Sequence, residues 1–183
     1  MSVYTDVIIA GFGGQGVLLI GNLLAQAGLE ADLNVTFIPV YGAEMRGGTA
    51  NCTVVVSSDE IGSPIIKRPK SLILMNQPSL DKFQPRLEDG GIQIVNADLV
   101  DPATIDSTRV KSYAVPANTL SEAHGGTRTA NMVALGAYLG ATGAVPLAAA
   151  QKALEHVIGS HYAKLIPLNA AALETGYNAV KVK

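Results

Sequence analysis

Gly11-Phe12-Gly13-Gly14-Gln15-Gly16 has the GxGxxG spacing that lets backbone N–H groups close around an anion at the positive end of a helix. A dinucleotide site needs one residue more, an acid at the end of the second strand to hold the ribose hydroxyls. The stretch that would supply it, Asn34 to Val40, contains no carboxylate, and Glu30 and Asp32 precede it. The loop therefore reads as a tight turn serving strand–helix packing, as an anion-binding turn or, least favoured, as the dinucleotide site of a stand-alone nucleotide-binding oxidoreductase. A second group, Tyr41-Gly42-Ala43-Glu44-Met45-Arg46-Gly47-Gly48-Thr49, follows that strand, at the carboxyl end where open α/β sheets place their ligands. The planar fork of Arg46 could grip a carboxylate or phosphate, or Glu44 could neutralise it within the loop. A third, His124-Gly125-Gly126-Thr127-Arg128-Thr129-Ala130-Asn131, sets Arg128 and Asn131 at a helix start that favours an anion. Capping by Thr127 or Thr129 explains the same residues.

Other reactive types offer less. Cys52 sits in an apolar run and reads as an inert buried thiol. There is no Gly-x-Ser-x-Gly elbow, and the acid pairs Asp59-Glu60 and Glu88-Asp89 fall in predicted turns. No catalytic residue is identified, and no self-contained active site emerges.

The elements that must position these groups follow from hydropathy period. Val3–Ala10 predicts a buried strand, Gln15–Leu29 a helix with small residues on its packing face, and Asn34–Val40 a second strand. That order is a βαβ unit and predicts a parallel pair with a right-handed crossover. Thr49–Val56 and Ile61–Ile66 predict a hairpin about Ser57–Glu60, so that the sheet is mixed. Ser71–Met75, Ile92–Asn96 and Arg109–Val115 are further strands, with a short helix over Ser79–Leu87 closed by Asp89-Gly90-Gly91. Beyond them, Thr129 can cap a helix through Ala141, whose alanines and glycines allow close approach. Pro146 opens a helix that Gly159 stops, and Pro167 opens a last one towards Val180. The sum is one α/β domain over residues 1–183. It is a Rossmann-like three-layer arrangement with a mixed, mostly parallel sheet and a helical C-terminal third.

Composition narrows the function. Only 15% of the 183 residues are charged, against about 25% in an average domain, and the net charge is -2. Thirteen Lys and Arg against fifteen Asp and Glu leave no surplus to neutralise nucleic-acid phosphates. One cysteine and three histidines do not make a multi-cysteine cluster or a structural zinc site, so no metal is expected on this chain. Met1–Asp6 lacks the basic flank and apolar run of a signal peptide, and no stretch has the ~20 apolar residues of a membrane span. A cytoplasmic protein is expected. Between Lys111 and Lys152 only Glu122 and Arg128 are charged, which predicts an apolar face covered by partners.

The motifs at Gly11–Val17 and Tyr41–Gly48, in this order and separation, resemble those of the gamma subunit of 2-oxoacid:ferredoxin oxidoreductases. The resemblance continues through Ile61–Pro64 and Asn131–Gly136, and so covers most of the chain. It is closest to the 2-oxoglutarate branch; the 2-oxoisovalerate, pyruvate and indolepyruvate branches share the domain. It implies a subunit, inactive alone, of an oxidative decarboxylase that turns a 2-oxoacid and coenzyme A into acyl-CoA and CO2, with electrons passed to ferredoxin. Thiamine diphosphate, Mg and iron–sulfur clusters would sit on companion alpha, beta and, as a further companion, delta subunits. Glu88-Asp89-Gly90-Gly91 is not the Gly-Asp-Gly signature of a thiamine diphosphate site. Gly11, Gly13, Gly14, Gln15 and Gly16 would then bind an anion or cofactor. Tyr41, Glu44, Arg46, Gly47, Gly48, Arg128 and Asn131 would face a partner or channel. A homodimer contact is left open.

Overall fold

Along Tyr4–Phe12, Val7 and Ile9 enter one core while Ile8 and Ala10 enter another, as in a strand covered on both faces. The structure, a computed structural model, describes residues 3–40 and 49–180. There this strand is β1, followed by α1 (Val17–Glu30), β2 (Asn34–Val40), β3 (Thr49–Ser57), β4 (Ser71–Leu74) and α2 (Gln77–Phe83). Then come β5 (Ile92–Asn96), β6 (Lys111–Val115), α3 (Ala117–Ser121), α4 (Ala130–Thr142), α5 (Leu147–Val157) and α6 (Ile166–Val180). α1, α4, α5 and α6 pack over one face of the sheet, and Leu80 and Phe83 of α2 over the other. This is the expected three-layer α/β arrangement with a helical C-terminal third. Among the described residues no helix is long and apolar enough to cross a membrane.

The sheet order is β2-β3-β1-β4-β5-β6. β1, β4, β5 and β6 pair in parallel, while β3 runs antiparallel to both of its neighbours. Two expectations are corrected here. β1 and β2 run the same way but are not a pair, because β3 lies between them. It is bonded from Tyr4↔Ser57 to Phe12↔Thr49 on one side and from Asn34↔Ser57 to Val40↔Asn51 on the other. In that lane Cys52, Val54 and Val56 are wholly buried in the core that α1 covers, so the insertion adds apolar burial that a direct β1–β2 pair would lack. The antiparallel partner that follows β3 in the expected hairpin, Ile61–Ile66, is not a strand. Pro64 within it has no N–H to give a ladder.

α4 is buried on all sides from Ala130 to Leu139 because it lies between the sheet and α6. Glycines make that possible, as their spacing predicted. A Cβ on Gly136 would fall on the Leu173 carbonyl oxygen, and one on Gly176 on that of Val133. The Tyr138 hydroxyl crosses to the sheet, 3.0 Å from Thr5 Oγ1 and 3.2 Å from Ser71 Oγ, and burial raises its pKa so that it stays a neutral phenol. Part of the charge-poor run from Lys111 to Lys152 is therefore interior, since α4 is buried from Ala130 to Leu139. The C-terminal third still exposes large apolar side chains at Tyr162, Leu165 and Leu168.

Candidate functional site

The chain turns from β1 into α1 through the glycine loop, at the carboxyl edge of the parallel strands. Gln15 N donates to the Phe12 carbonyl at 3.1 Å, and Phe12 N donates back to Gln15 Oε1 at 2.6 Å. The same Oε1 accepts from Asn76 Nδ2 at 2.8 Å, while Gln15 Nε2 donates to the Met75 carbonyl at 3.2 Å. One amide thus ties the loop to the end of β4. Asn76 Oδ1 accepts from Ser79 N at 3.0 Å and caps α2. Gly11 has to be glycine, since a Cβ there would meet Gln15 Oε1 at 2.7 Å and Val17 Cγ1 at 2.8 Å.

Gly16 is the N-cap of α1 with φ of 72° and makes no side-chain cap bond. Asn131 Nδ2 donates to its carbonyl at 3.3 Å, and a Cβ on Gly16 would strike that amide. Asn131, expected to face outward, is instead buried, with its Oδ1 accepting from Met132 N at 2.9 Å. It is a strut between the glycine loop and the start of α4. Gly14, with φ of 91°, faces open space.

Arg128 and the loop come together. A cavity of about 240 Å³ is lined by Gly14, Gln15, Met75, Asn118, Thr127 and Arg128, among others. A second, of about 220 Å³, lies on the other side of the loop and includes Phe12, Gly13, Gly16 and Leu19. Uncapped N–H groups of α1, the Gln15 and Asn118 amides and an exposed guanidinium suit a polar anion. Capping by threonine is not what fixes α4. Thr129 Oγ1 donates to the carbonyls of His124 and Gly126 at 3.0 and 3.2 Å and makes no bond to the helix N-terminus.

Tyr41, Glu44, Arg46, Gly47 and Gly48 lie outside the described residues. The strands that lead to and from them end beside the loop, with Val40 paired to Asn51 and Phe12 to Thr49. Asn76, Asn96 and Asn118 were missed from sequence. Asn96 Nδ2 donates to Asn118 Oδ1 at 3.0 Å, and Asn96 Oδ1 accepts from Ala117 N at 3.2 Å. Each of the three sits at or just beyond the carboxyl end of a strand, and that position was the available signal.

A dinucleotide fits this edge poorly. With β3 inserted, β2 stands two strand spacings from β1, roughly 10 Å instead of about 5 Å, so even an acid at its end would miss the ribose. Cys52 is fully buried, its Sγ is 3.6 Å from the Val17 carbonyl, and burial pushes its thiol up to about 12. A cluster needs several accessible thiolates, and this chain has one closed thiol, so its residues do not fit an iron–sulfur cluster. The Glu88–Gly91 turn is held structurally, by Gly91 N on the Glu88 carbonyl at 2.9 Å and by Arg109 on Asp89 at 2.9 Å.

Comparison with known proteins matches residues 6–179 to the family described as pyruvate ferredoxin/flavodoxin oxidoreductase. Ketoisovalerate oxidoreductase subunit VorA of Methanothermobacter thermautotrophicus is 40% identical over 172 residues, covering 93% of this chain. The chain spans only 35% of that relative's length. 2-Oxoglutarate synthase subunit KorC of the same organism is 38% identical over 161 residues, 85% of each chain. Among solved structures, the gamma subunit of a keto/oxoacid ferredoxin oxidoreductase from Geobacter sulfurreducens superposes with a TM-score of 0.82. It is 28% identical, and the match covers 96% of this chain and 98% of that one.

Proposed function

This chain belongs to the pyruvate ferredoxin/flavodoxin oxidoreductase family, and from that premise we propose that it is the gamma-type subunit of a multi-subunit 2-oxoacid:ferredoxin oxidoreductase. The observation that carries the reading is the match to KorC over 85% of both chains, which pairs this single domain with a dedicated subunit of the same size class. The complex would convert a 2-oxoacid and coenzyme A to acyl-CoA and CO2, with the electrons leaving to ferredoxin. Thiamine diphosphate, Mg and the iron–sulfur clusters would be held by alpha, beta and delta companions. We place the complex in the cytoplasm.

Within it this chain supplies binding and assembly rather than a reacting group. The glycine loop, Gly11 and Gly13–Gly16, suits an anionic part of coenzyme A, while Arg128 beside it faces a partner. Tyr41, Glu44, Arg46, Gly47 and Gly48 would form the wall of the same channel, with Glu44 orienting Arg46. The pairing of Thr49 with Phe12, and of Val40 with Asn51 one strand further out, supports this. A purely structural role for the loop is favoured by a different fact, that Gln15 and Asn131 already spend their amides on loop and helix.

One experiment separates the two. In the reconstituted complex, Arg46→Ala should raise the apparent KM for coenzyme A or the oxoacid at least several-fold, with subunit stoichiometry unchanged. Unchanged kinetics with unchanged assembly would leave the structural role standing.

A further inference from the structure

Among the described residues an apolar groove lies beside the site rather than in it. Leu19 of α1, Ile158 after α5, Tyr162 and Leu165 of the 160–165 segment, and Leu168 of α6 wall a groove of about 470 Å³. Tyr162 is 64% exposed, Leu165 45%, Leu168 39% and Leu19 38%. Isolated exposed apolar residues are ordinary, but four around one depression mark an interaction site. The segment Ser160–Leu165 strengthens the point. It is a six-residue 3₁₀ run, longer than the three or four residues usual for such helices, and none of its residues is buried. Nothing among the described residues rewards the folding of this element with burial.

The groove also has a sign. Its basic lining is Arg128 and His124, whose Nε2 is 2.8 Å from Thr175 Oγ1, and among the described residues no carboxylate lines it. Arg128 makes no ion pair among the described residues. A second copy of the chain is a poor occupant. Its most exposed large apolar side chain, Ile65 at 72%, is followed closely by Lys67 and Arg68 and would bring like charge to Arg128. A companion chain is a better one. In the ketoisovalerate relative the region matching this chain is 35% of the polypeptide, so there the domain is tethered to a larger body. Tyrosine and arginine are also the residue types that dominate the energetics of protein interfaces.

We propose that this groove receives a segment of a companion subunit that inserts a bulky apolar side chain between Tyr162, Leu165 and Leu168 and sets an acidic residue against Arg128. The inference rests on the reading of the chain as a subunit. It adds which surface docks and the chemistry that fills it. Because Arg128 also lines the cavity beside the glycine loop, the docked segment would lie against that site.

The test is co-expression of the full chain with the companion subunits of its own oxidoreductase, one companion tagged, and measurement of co-purified stoichiometry and dissociation constant. Leu165→Asp and Arg128→Glu should each weaken association tenfold or more. Leu29→Asp, at a leucine that is 55% exposed elsewhere, should not. Thermal unfolding of each isolated variant checks that the fold survives. Native-like association of Leu165→Asp overturns the proposal while leaving the subunit reading intact. Failure of the unmodified chain to associate overturns both. A dimer of the chain alone that Leu165→Asp dissolves overturns it in favour of a second copy.

Discussion

The Asn131 side-chain amide donates to the Gly16 carbonyl at 3.3 Å and so joins the first turn of α4 to the glycine loop, 115 residues away in sequence. The contact is what brings the glycine loop and the start of α4 to one edge. It also explains two residue choices at once. Gly16 must adopt φ of 72° and must lack a Cβ that would strike the amide.

Gly16→Ala should therefore destabilise the chain by about 2–4 kcal/mol, the sum of left-handed backbone strain and overpacking. Asn131→Ala should cost about 1 kcal/mol for the lost hydrogen bond. The double variant should be less destabilised than the sum, because removing the amide relieves the clash and leaves only the backbone strain. Urea unfolding of the four proteins reads this directly, and strict additivity would mean that the two residues do not meet.

The crossing of α4 and α6 is tighter. Gly136→Ala or Gly176→Ala would set a methyl group on a backbone carbonyl of the opposite helix, where no side-chain rotamer can yield. Each should cost about 3 kcal/mol or more, or prevent folding. Gly143→Ala, at a position with open space around it, should show only the cost of its φ of 63°. Equal losses at all three positions would contradict the close crossing.

α1 and α5 are clasped by Glu30, with Lys152 Nζ at 2.5 Å and His156 Nε2 at 3.2 Å. The hydrogen bond from Lys152 holds the Glu30 carboxyl below the usual carboxylate range. A depressed folded pKa stabilises the native state fully above the unfolded value, and that stabilisation is lost as pH falls through the folded one. The gap in thermal midpoint between the native chain and Glu30→Gln should be widest near neutral pH and close under acid conditions below the normal carboxylate range. A gap that persists there would assign the effect to packing.

How much of this was readable from the chain divides along physical lines. Most strands and helices were legible because each carries its own period, although α3 was not read and Ile61–Ile66 was read as a strand, and the small residues of α4 announced a close neighbour. Strand neighbours were not. A parallel β1–β2 pair and a β1–β3–β2 triplet demand the same alternation from each strand, so hydropathy could not choose between them. The reach of Gln15 was hidden for a related reason, since its partners Met75 and Asn76 follow the end of β4, 60 and 61 residues away. The charge-poor stretch up to Lys152 signalled an apolar environment without saying whether that was interior or interface. The open groove proved to be assembled from Leu19, from His124, Gly125, Arg128 and Thr129 within that stretch, and from residues after Lys152, on separate elements that no single sequence window shows together.

The inserted lane of β3 also sets a schedule for the emerging polypeptide. β2 bonds only to β3, and β1 only to β3 and β4. Until β3 is synthesised, β1 and β2 are thus two strands whose neighbour between them in this sheet is not yet made. α1 can wind early, because its bonds are local, but its apolar stripe has no paired sheet to lie on until β3 has been synthesised through Ser57. Synthesis proceeds at roughly 5–20 residues per second, so the exposed interval lasts on the order of a second. During it the unpaired edges of β1 and β2 are open to any passing strand.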